Sequence, residues 1–268
     1  MLKKRLIFTL LYEDGFFVQS RNFNLQKVGD IDWIKKNYNF RNISFFIDEL
    51  IILDISRGNK DSNKFIENIK KISELCFVPI SIGGGVDTCE KAQKLLSNGA
   101  DKILLNSINF ENKEIIKEIS NIYGEQSIIL SVDIKKQNNE YEIYKHNGSV
   151  KVDIQFSNFV KSLHEFSFGE IYINSIDKDG TGNGLDYEFL EHFPKNFNKP
   201  IIISGGCGKA SHINDGLLNP IVSAISTANL LNFVGNGLEL AREELIKNNN
   251  NFPIWQKADI EELENILL

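Results

Sequence analysis

The sequence predicts an α/β fold of the TIM-barrel type, a (β/α)₈ barrel built from two duplicated half-barrels. Three observations carry the prediction. Short apolar, β-branched runs alternate with longer amphipathic stretches, eight times over, which is the pattern of repeated βα units around a parallel sheet. A length of 268 residues, 42% of them hydrophobic and 25% charged, suits one barrel of about 250 residues around a single core. Finally, a shift of 121 residues, the separation of Glu49 and Glu170, also superposes Ile55 on Ile176, Pro79-Ile80 on Pro200-Ile201, Ile82 on Ile203, and Gly84-Gly85 on Gly205-Gly206. Strand and glycine positions that recur in the same order read as duplication of a four-unit βα segment.

The strands are expected at Leu6–Leu11, Leu50–Asp54, Pro79–Ile82, Lys102–Asn106, Ser127–Asp133, Glu170–Asn174, Pro200–Ser204 and Val222–Ser226, with helical stretches between them. After the fifth strand, residues 135–152 show Tyr-Glu-Ile-Tyr and Val-Lys-Val alternation around Asn147-Gly148, the signature of an inserted β-hairpin. The barrel is expected to span residues 1–247. The C-terminal extension, 248–268, opens with four asparagines and then places Ile260, Leu263, Ile266 and Leu267 at helical spacing, an extra helix expected to pack on the outside of the barrel.

Composition narrows the function. No run of about 18 apolar residues is present to span a bilayer, and Met1-Leu2-Lys3-Lys4-Arg5 leads directly into a strand rather than an export signal, so a cytoplasmic protein with no membrane partner is expected. Cys76, Cys89 and Cys207 are far apart and show no metal or disulfide spacing; no metal and no cofactor are expected. A net charge of −6 argues against a nucleic-acid partner, which would draw on clustered Lys and Arg. Any phosphate must therefore be gripped locally.

Each half ends a strand in glycines, Gly83-Gly84-Gly85 and Ser204-Gly205-Gly206, at the barrel face where active sites are built. Such turns bring backbone N–H groups close to an anion. Either one alone would read as a turn that merely needs φ > 0; placed symmetrically, the pair favours phosphate. Asn106-Ser107 after the fourth strand and Thr227-Ala228 after the eighth complete the two grips, which together suit a phosphorylated small molecule with two phosphates. Between them, at strand ends, lie Asp54, Asp133, Asn174, Ser175, Asp177 and Asp179-Gly180-Thr181, whose carboxylates could serve as general acid or base. Asp177 and Asp179 also suit turn and cap roles. Asp133, closing an apolar strand, is the better catalytic candidate. The four histidines, His146, His164, His192 and His212, read as surface or helix residues outside this constellation.

Asp14-Gly15, Asp48-Glu49-Leu50 running to Leu53-Asp54-Ile55, Gly83-Gly84-Gly85, Gly99-Ala100-Asp101-Lys102, Asn106-Ser107, Gly169-Glu170-Ile171, Ser175 to Thr181, and Ser204-Gly205-Gly206 together resemble the cyclase subunit of imidazole glycerol phosphate synthase, the HisF family, over residues 1 to about 245. The resemblance implies a lyase barrel that takes ammonia from a HisH-like glutaminase docked on its N-terminal face and passes it through the interior to a bisphosphorylated ribulosyl intermediate of histidine biosynthesis. It implies phosphate contacts at Gly84, Gly85, Asn106, Ser107, Asp179, Gly180, Ser204, Gly205, Gly206, Thr227 and Ala228, and an ammonia gate of Arg5, Glu49, Lys102 and Glu170. Two cations and two anions are a form in which charges persist at a barrel floor; a purely structural salt-bridge ring is the other reading.

The resemblance breaks at the chemistry. The family's acid and base are aspartates ending the first and fifth strands; Asp133 keeps the second, but Leu11 stands where the first is expected. A leucine transfers no proton, and loss of one member of such a pair forfeits roughly 10²–10⁴-fold in rate. Gln19 in place of a lysine, Asn174 in place of a threonine and Ala228 in place of a serine point the same way. The expectation is a divergent paralogue that conducts ammonia for a surface-glycan pathway, in which a third, ATP-using sugar amidotransferase makes an acetamidino group. The alternative is an authentic cyclase of histidine biosynthesis.

Overall fold

The computed structural model describes residues 3–38, 40–58, 61–229, 233 and 235–253. Among the described residues twelve strands form one sheet: β1 (Arg5–Glu13), β2 (Phe16–Arg21), β3 (Asn24–Gly29), β4 (Glu49–Asp54), β5 (Ile80–Gly83), β6 (Lys102–Leu105), β7 (Ile128–Gln137), β8 (Glu140–Lys145), β9 (Val150–Gln155), β10 (Glu170–Ser175), β11 (Ile201–Ser204) and β12 (Val222–Thr227). Eight of them, β1, β4, β5, β6, β7, β10, β11 and β12, run parallel in that order, and β12 returns to pair with β1. The barrel is closed, as the sequence predicts.

Alternation of side chains across each strand creates two cores. Leu6, Phe8 and Leu10 of β1 face outward into the large layer between sheet and helices. Inside the barrel, Ile7, Ile51, Leu104, Ile129, Tyr172, Ile202 and Ala224 pack on one another with almost no exposure. The helices Ile31–Asn37, Ser62–Ser73, Cys89–Leu96 and Lys113–Tyr123 each begin at a side-chain cap, supplied by Asp30, Asp61, Thr88 and Asn112. The sixth unit departs from the pattern: only a short 3₁₀ turn, Glu188–His192, follows β10.

The duplication survives in three dimensions. A side chain on Gly84 would meet the Asp54 carbonyl at 2.2 Å, and one on Gly205 would meet the Ser175 carbonyl at 2.6 Å. These are the same two contacts at equivalent places in the two halves. Both glycines also lie at positive φ, +116° and +93°. Close approach to the neighbouring strand end therefore accounts for them whether or not an anion binds.

Each half also carries an antiparallel insertion. After β7 comes the expected hairpin, but β7 itself runs on to pair with β8, so the insertion is a three-stranded meander with turns at Asn138-Asn139 and at His146-Asn147-Gly148. A second hairpin, β2–β3, follows β1 and was not expected; its signals are the Asp14-Gly15 turn and the apolar run from Phe16 to Val18.

At the opposite end of the barrel, the floor, Arg242 of helix Gly237–Lys247 grips Asp48 through two hydrogen bonds of 2.9 Å and lies 5.0 Å over the Phe252 ring. The Lys4 N–H donates to the Asn251 carbonyl at 2.9 Å, so the start of the extension is sewn to the first strand. The helix expected around Ile260–Leu267 lies outside the described residues. No helix among the described residues is long and apolar enough to cross a membrane.

Candidate active site

Two polar constellations lie at opposite ends of the barrel interior. At the floor, Arg5, Glu49, Lys102 and Glu170 start β1, β4, β6 and β10 and point inward into a closed ring. Arg5 donates to Glu49 and, at 2.5 Å, to Glu170. Lys102 donates to Glu170 at 2.5 Å and to both oxygens of Glu49 at 3.2 and 3.3 Å. Burial works against a charged Glu170, but the hydrogen bonds and charges of Arg5 and Lys102 outweigh it and hold the carboxyl below its ordinary range. Burial likewise opposes charge on Arg5, and Glu170 and Glu49 reverse that. Each cation thus touches both anions, the arrangement that offsets desolvation of four charges.

At the mouth, Asp133 ends the barrel section of β7 and is 9% exposed. Asn106 from β6's end donates to it at 3.0 Å, and Asn174 from β10 at 3.1 Å. Burial pushes the carboxyl up to about 6 in spite of these two bonds, with the charge of Asp179 adding to the rise. Such a group exchanges a proton near neutrality, which suits a general acid or base. Leu11, on the inward face of β1, lines the same cavity of about 610 Å³. Asp54, on the neighbouring strand, is no substitute in this arrangement, because its Oδ1 is held by the N–H and hydroxyl of Ser56 at 3.0 and 2.6 Å.

That cavity gathers Gly84, Gly85, Asn106 and Ser107 of the first half together with Ser204, Asp179 and Ala228 of the second. Gly180, Gly205, Gly206 and Thr227 line instead a neighbouring hollow of about 20 Å³. The Asp179 carboxylate is engaged as an anchor: it accepts the Ser20 hydroxyl at 2.5 Å and the Phe23 N–H at 3.1 Å, and burial raises its pKa. Asp177 accepts the Lys136 N–H at 2.7 Å.

One histidine departs from the sequence expectation. His146, in the β8–β9 turn, lines the cavity. Its backbone N–H donates to the Ser107 hydroxyl at 3.0 Å, and its Nε2 lies 2.8 Å from Glu111. Arg57, after β4, also lines the cavity and donates to the Phe23 carbonyl. Neither stood out in the sequence, since a solvent-facing turn places each, and only the tertiary fold turns them to the mouth. Among the described residues, no group of His, Cys, Asp and Glu is clustered as a metal site would require.

Fold and site together define a duplicated half-barrel protein with a carboxylate-centred cavity at the C-terminal strand ends and a ring of four paired charges at the other. Residues 9–233 match the model of the family described as histidine biosynthesis protein. The chain is 46% identical over 244 residues, 91% of each chain, to a Parasynechococcus marenigrum (strain WH8102) protein provisionally named imidazole glycerol phosphate synthase subunit hisF2. It is 32% identical to the HisF subunit of Chlorobium phaeovibrioides (strain DSM 265 / 1930), over 91% of this chain and 96% of that one. Against the HisF subunit of Sulfurisphaera tokodaii (strain DSM 16993 / JCM 10545 / NBRC 100140 / 7) the identity is 34%, over 81% and 86%. The chain belongs to the HisF family.

Proposed function

We propose that this chain is the ammonia-receiving subunit of a glutamine amidotransferase pair, a divergent HisF paralogue whose cyclase chemistry is impaired. The observation that carries the reading is an asymmetry along the barrel axis. The four-charge ring at the floor is complete, while at the mouth Leu11 stands at the β1 position where the partner carboxylate of Asp133 is expected. In this reading a HisH-like glutaminase docks on the N-terminal face and releases ammonia at the ring. Neutral ammonia then crosses the apolar interior of Ile7, Ile51, Ile129 and Ile202, where ammonium would lose its hydration without a partner. The numbered name hisF2 on the Parasynechococcus relative accords with a second copy beside an ordinary subunit.

The acceptor proposed is a sugar whose acetamido group becomes an acetamidino group in surface-glycan synthesis, with a third, ATP-using enzyme supplying the activation. The setting is the cytoplasm. With one carboxylate of the acid–base pair absent, cyclisation of the ribulosyl bisphosphate intermediate falls by roughly 10²–10⁴-fold. The test is to purify the chain with its cognate glutaminase and measure glutamine hydrolysis and consumption of that intermediate in parallel. Stimulated glutaminase with negligible consumption is expected. Rapid formation of imidazole glycerol phosphate would instead establish an authentic histidine-pathway cyclase and end this proposal.

A further inference from the structure

The two inserted hairpins meet over the mouth, one from each half-barrel. A Cβ built on Gly148, in the β8–β9 turn, would lie 2.3 Å from the Phe23 ring at the tip of β2–β3. The first tip is held down at the second half: Ser20 and Phe23 bond Asp179, and the Asn22 N–H donates to the Asp179 carbonyl at 3.0 Å. A side chain on Gly180 would meet the Ser20 carbonyl at 2.0 Å, so hairpin backbone lies directly on that loop. The second tip is held down at the first half, by Asn147 donating to the Ile55 carbonyl at 3.1 Å and by His146 on Ser107.

The two grips are therefore unequal. Beside Gly205-Gly206 and Thr227 there remain about 20 Å³, room for about one water. The first-half grip opens on about 610 Å³ and has donors that its counterpart lacks. His146 and Arg57 line it, and Lys145 stands 2.7 Å from Glu111, the carboxylate that also holds His146. Glu111 is held below its ordinary range, chiefly by Lys145, and the same carboxylate contacts His146, whose backbone N–H bonds Ser107. The carboxylates that share the cavity are themselves engaged: Asp87 with Lys91 at 2.7 Å, Asp54 with Ser56, and Asp133 with Asn106 and Asn174.

We infer that the mouth takes a ligand with a single phosphate, gripped by the first half-barrel alone, and that Arg57 and His146 are specificity-determining contacts to that phosphate. The second grip has become the seat of the β2–β3 hairpin. The inference rests on the assignment of the first-half glycine turn to phosphate and deepens the proposed function: an acceptor with one phosphorylated end fits this mouth, a bisphosphate spanning both halves does not. A guanidinium donor on a phosphate is charge-assisted and individually strong, and an imidazole N–H adds a second hydrogen bond.

Calorimetric titration with matched probes tests it: ribulose 5-phosphate, ribulose 1,5-bisphosphate and unphosphorylated ribulose, against the wild-type protein and an Arg57→Ala/His146→Gln variant. Both altered residues are exposed, so the variant should fold. The expected result is equal affinity for the mono- and bisphosphate within about threefold, no measurable binding of the free sugar, and a loss of about tenfold or more for both phosphates in the variant. A bisphosphate preference of about tenfold or more, or unchanged binding in the variant, overturns the one-ended grip. Failure of both phosphates to bind overturns the phosphate reading beneath it, while ammonia delivery is read separately by the glutamine assay.

Discussion

Asn174 stands in register beside Asp133 on the adjacent strand and donates its side-chain amide to Oδ1 at 3.1 Å. That bond and its twin from Asn106 favour the carboxylate, yet burial wins and the group titrates near 6 against an ordinary 3.8. Between those two values the folded state binds more protons than the unfolded one, so stability falls as pH rises through the window. Fully ionised, the carboxyl costs about 3 kcal/mol. Asp133→Asn removes that cost and forfeits about 1 kcal/mol of hydrogen bonding, since one of the two amide donors loses its acceptor. Urea unfolding should show the variant more stable than wild type by about 1–2 kcal/mol at pH 7.5, with the gain gone by pH 4. A gain that persists at pH 4 would refute the burial argument.

Leu11 is 8% exposed, so Leu11→Asp places a carboxylate in a poorly hydrated position facing a second one. Two such groups cannot both ionise cheaply, and the pair should share a proton near neutrality. Stability should drop by about 2 kcal/mol or more at pH 8 and less at pH 5. If loss of the acid–base pair is what impairs cyclisation, the variant should consume the ribulosyl bisphosphate measurably when the wild type does not. Comparing single-turnover rates of the two proteins with ammonium salts in place of the glutaminase checks this.

The ring at the floor makes the opposite prediction about pH. Glu170 titrates below its ordinary range because Arg5 and Lys102 overcome its burial. A depressed carboxyl contributes stability that is present above the unfolded value and lost as pH falls through the folded one. Lys102→Met leaves Glu49 and Glu170 sharing only Arg5. The loss should be about 2–3 kcal/mol at pH 7, below the figure for fully buried pairs because Lys102 is 19% exposed. Denaturation of the variant at pH 7 and pH 3.5 should show the deficit shrinking as the carboxylates protonate.

The barrel was legible because parallel strands covered on both faces must read as near-continuous apolar runs; Leu6 to Leu11, Leu50 to Leu53 and Ile201 to Ile203 do so. Arg5, Glu49, Lys102 and Glu170 were reached through the resemblance to the HisF family, position by position, since a charge that opens an apolar strand does not by itself say which way its side chain points. The hairpin after β1 was missed because Asn22 and Phe23 turn the chain through positive φ, at 49° and 62°, without a glycine. His146 at φ 52° lies in the turn expected at Asn147-Gly148; what went unseen is that this turn folds over the mouth. Their positions are set by contacts between halves far apart in sequence, Phe23 with Gly148 and Ser20 with Asp179, and no local pattern records those.

The contact between the hairpin tips can be tested on its own. Gly148 adopts φ +73°, and its missing side chain leaves the space that the Phe23 ring fills at 2.3 Å. The backbone of Phe23 is fixed, because Asp179 holds its N–H and Arg57 its carbonyl. Gly148→Ala must therefore displace the ring or part the tips, as well as strain its own backbone, the latter worth roughly 1 kcal/mol. Hydrogen exchange should quicken around residues 22–23 and 146–149 and stay unchanged in the barrel strands, since tips open locally without unfolding the core. Phe23→Ala removes the ring and hence the collision. In that background Gly148→Ala should cost only the backbone strain, and a double-mutant cycle should return a coupling of about 1 kcal/mol or more between the two positions. A coupling near zero would mean that the hairpins do not touch in solution, and the unequal grips would then need another cause.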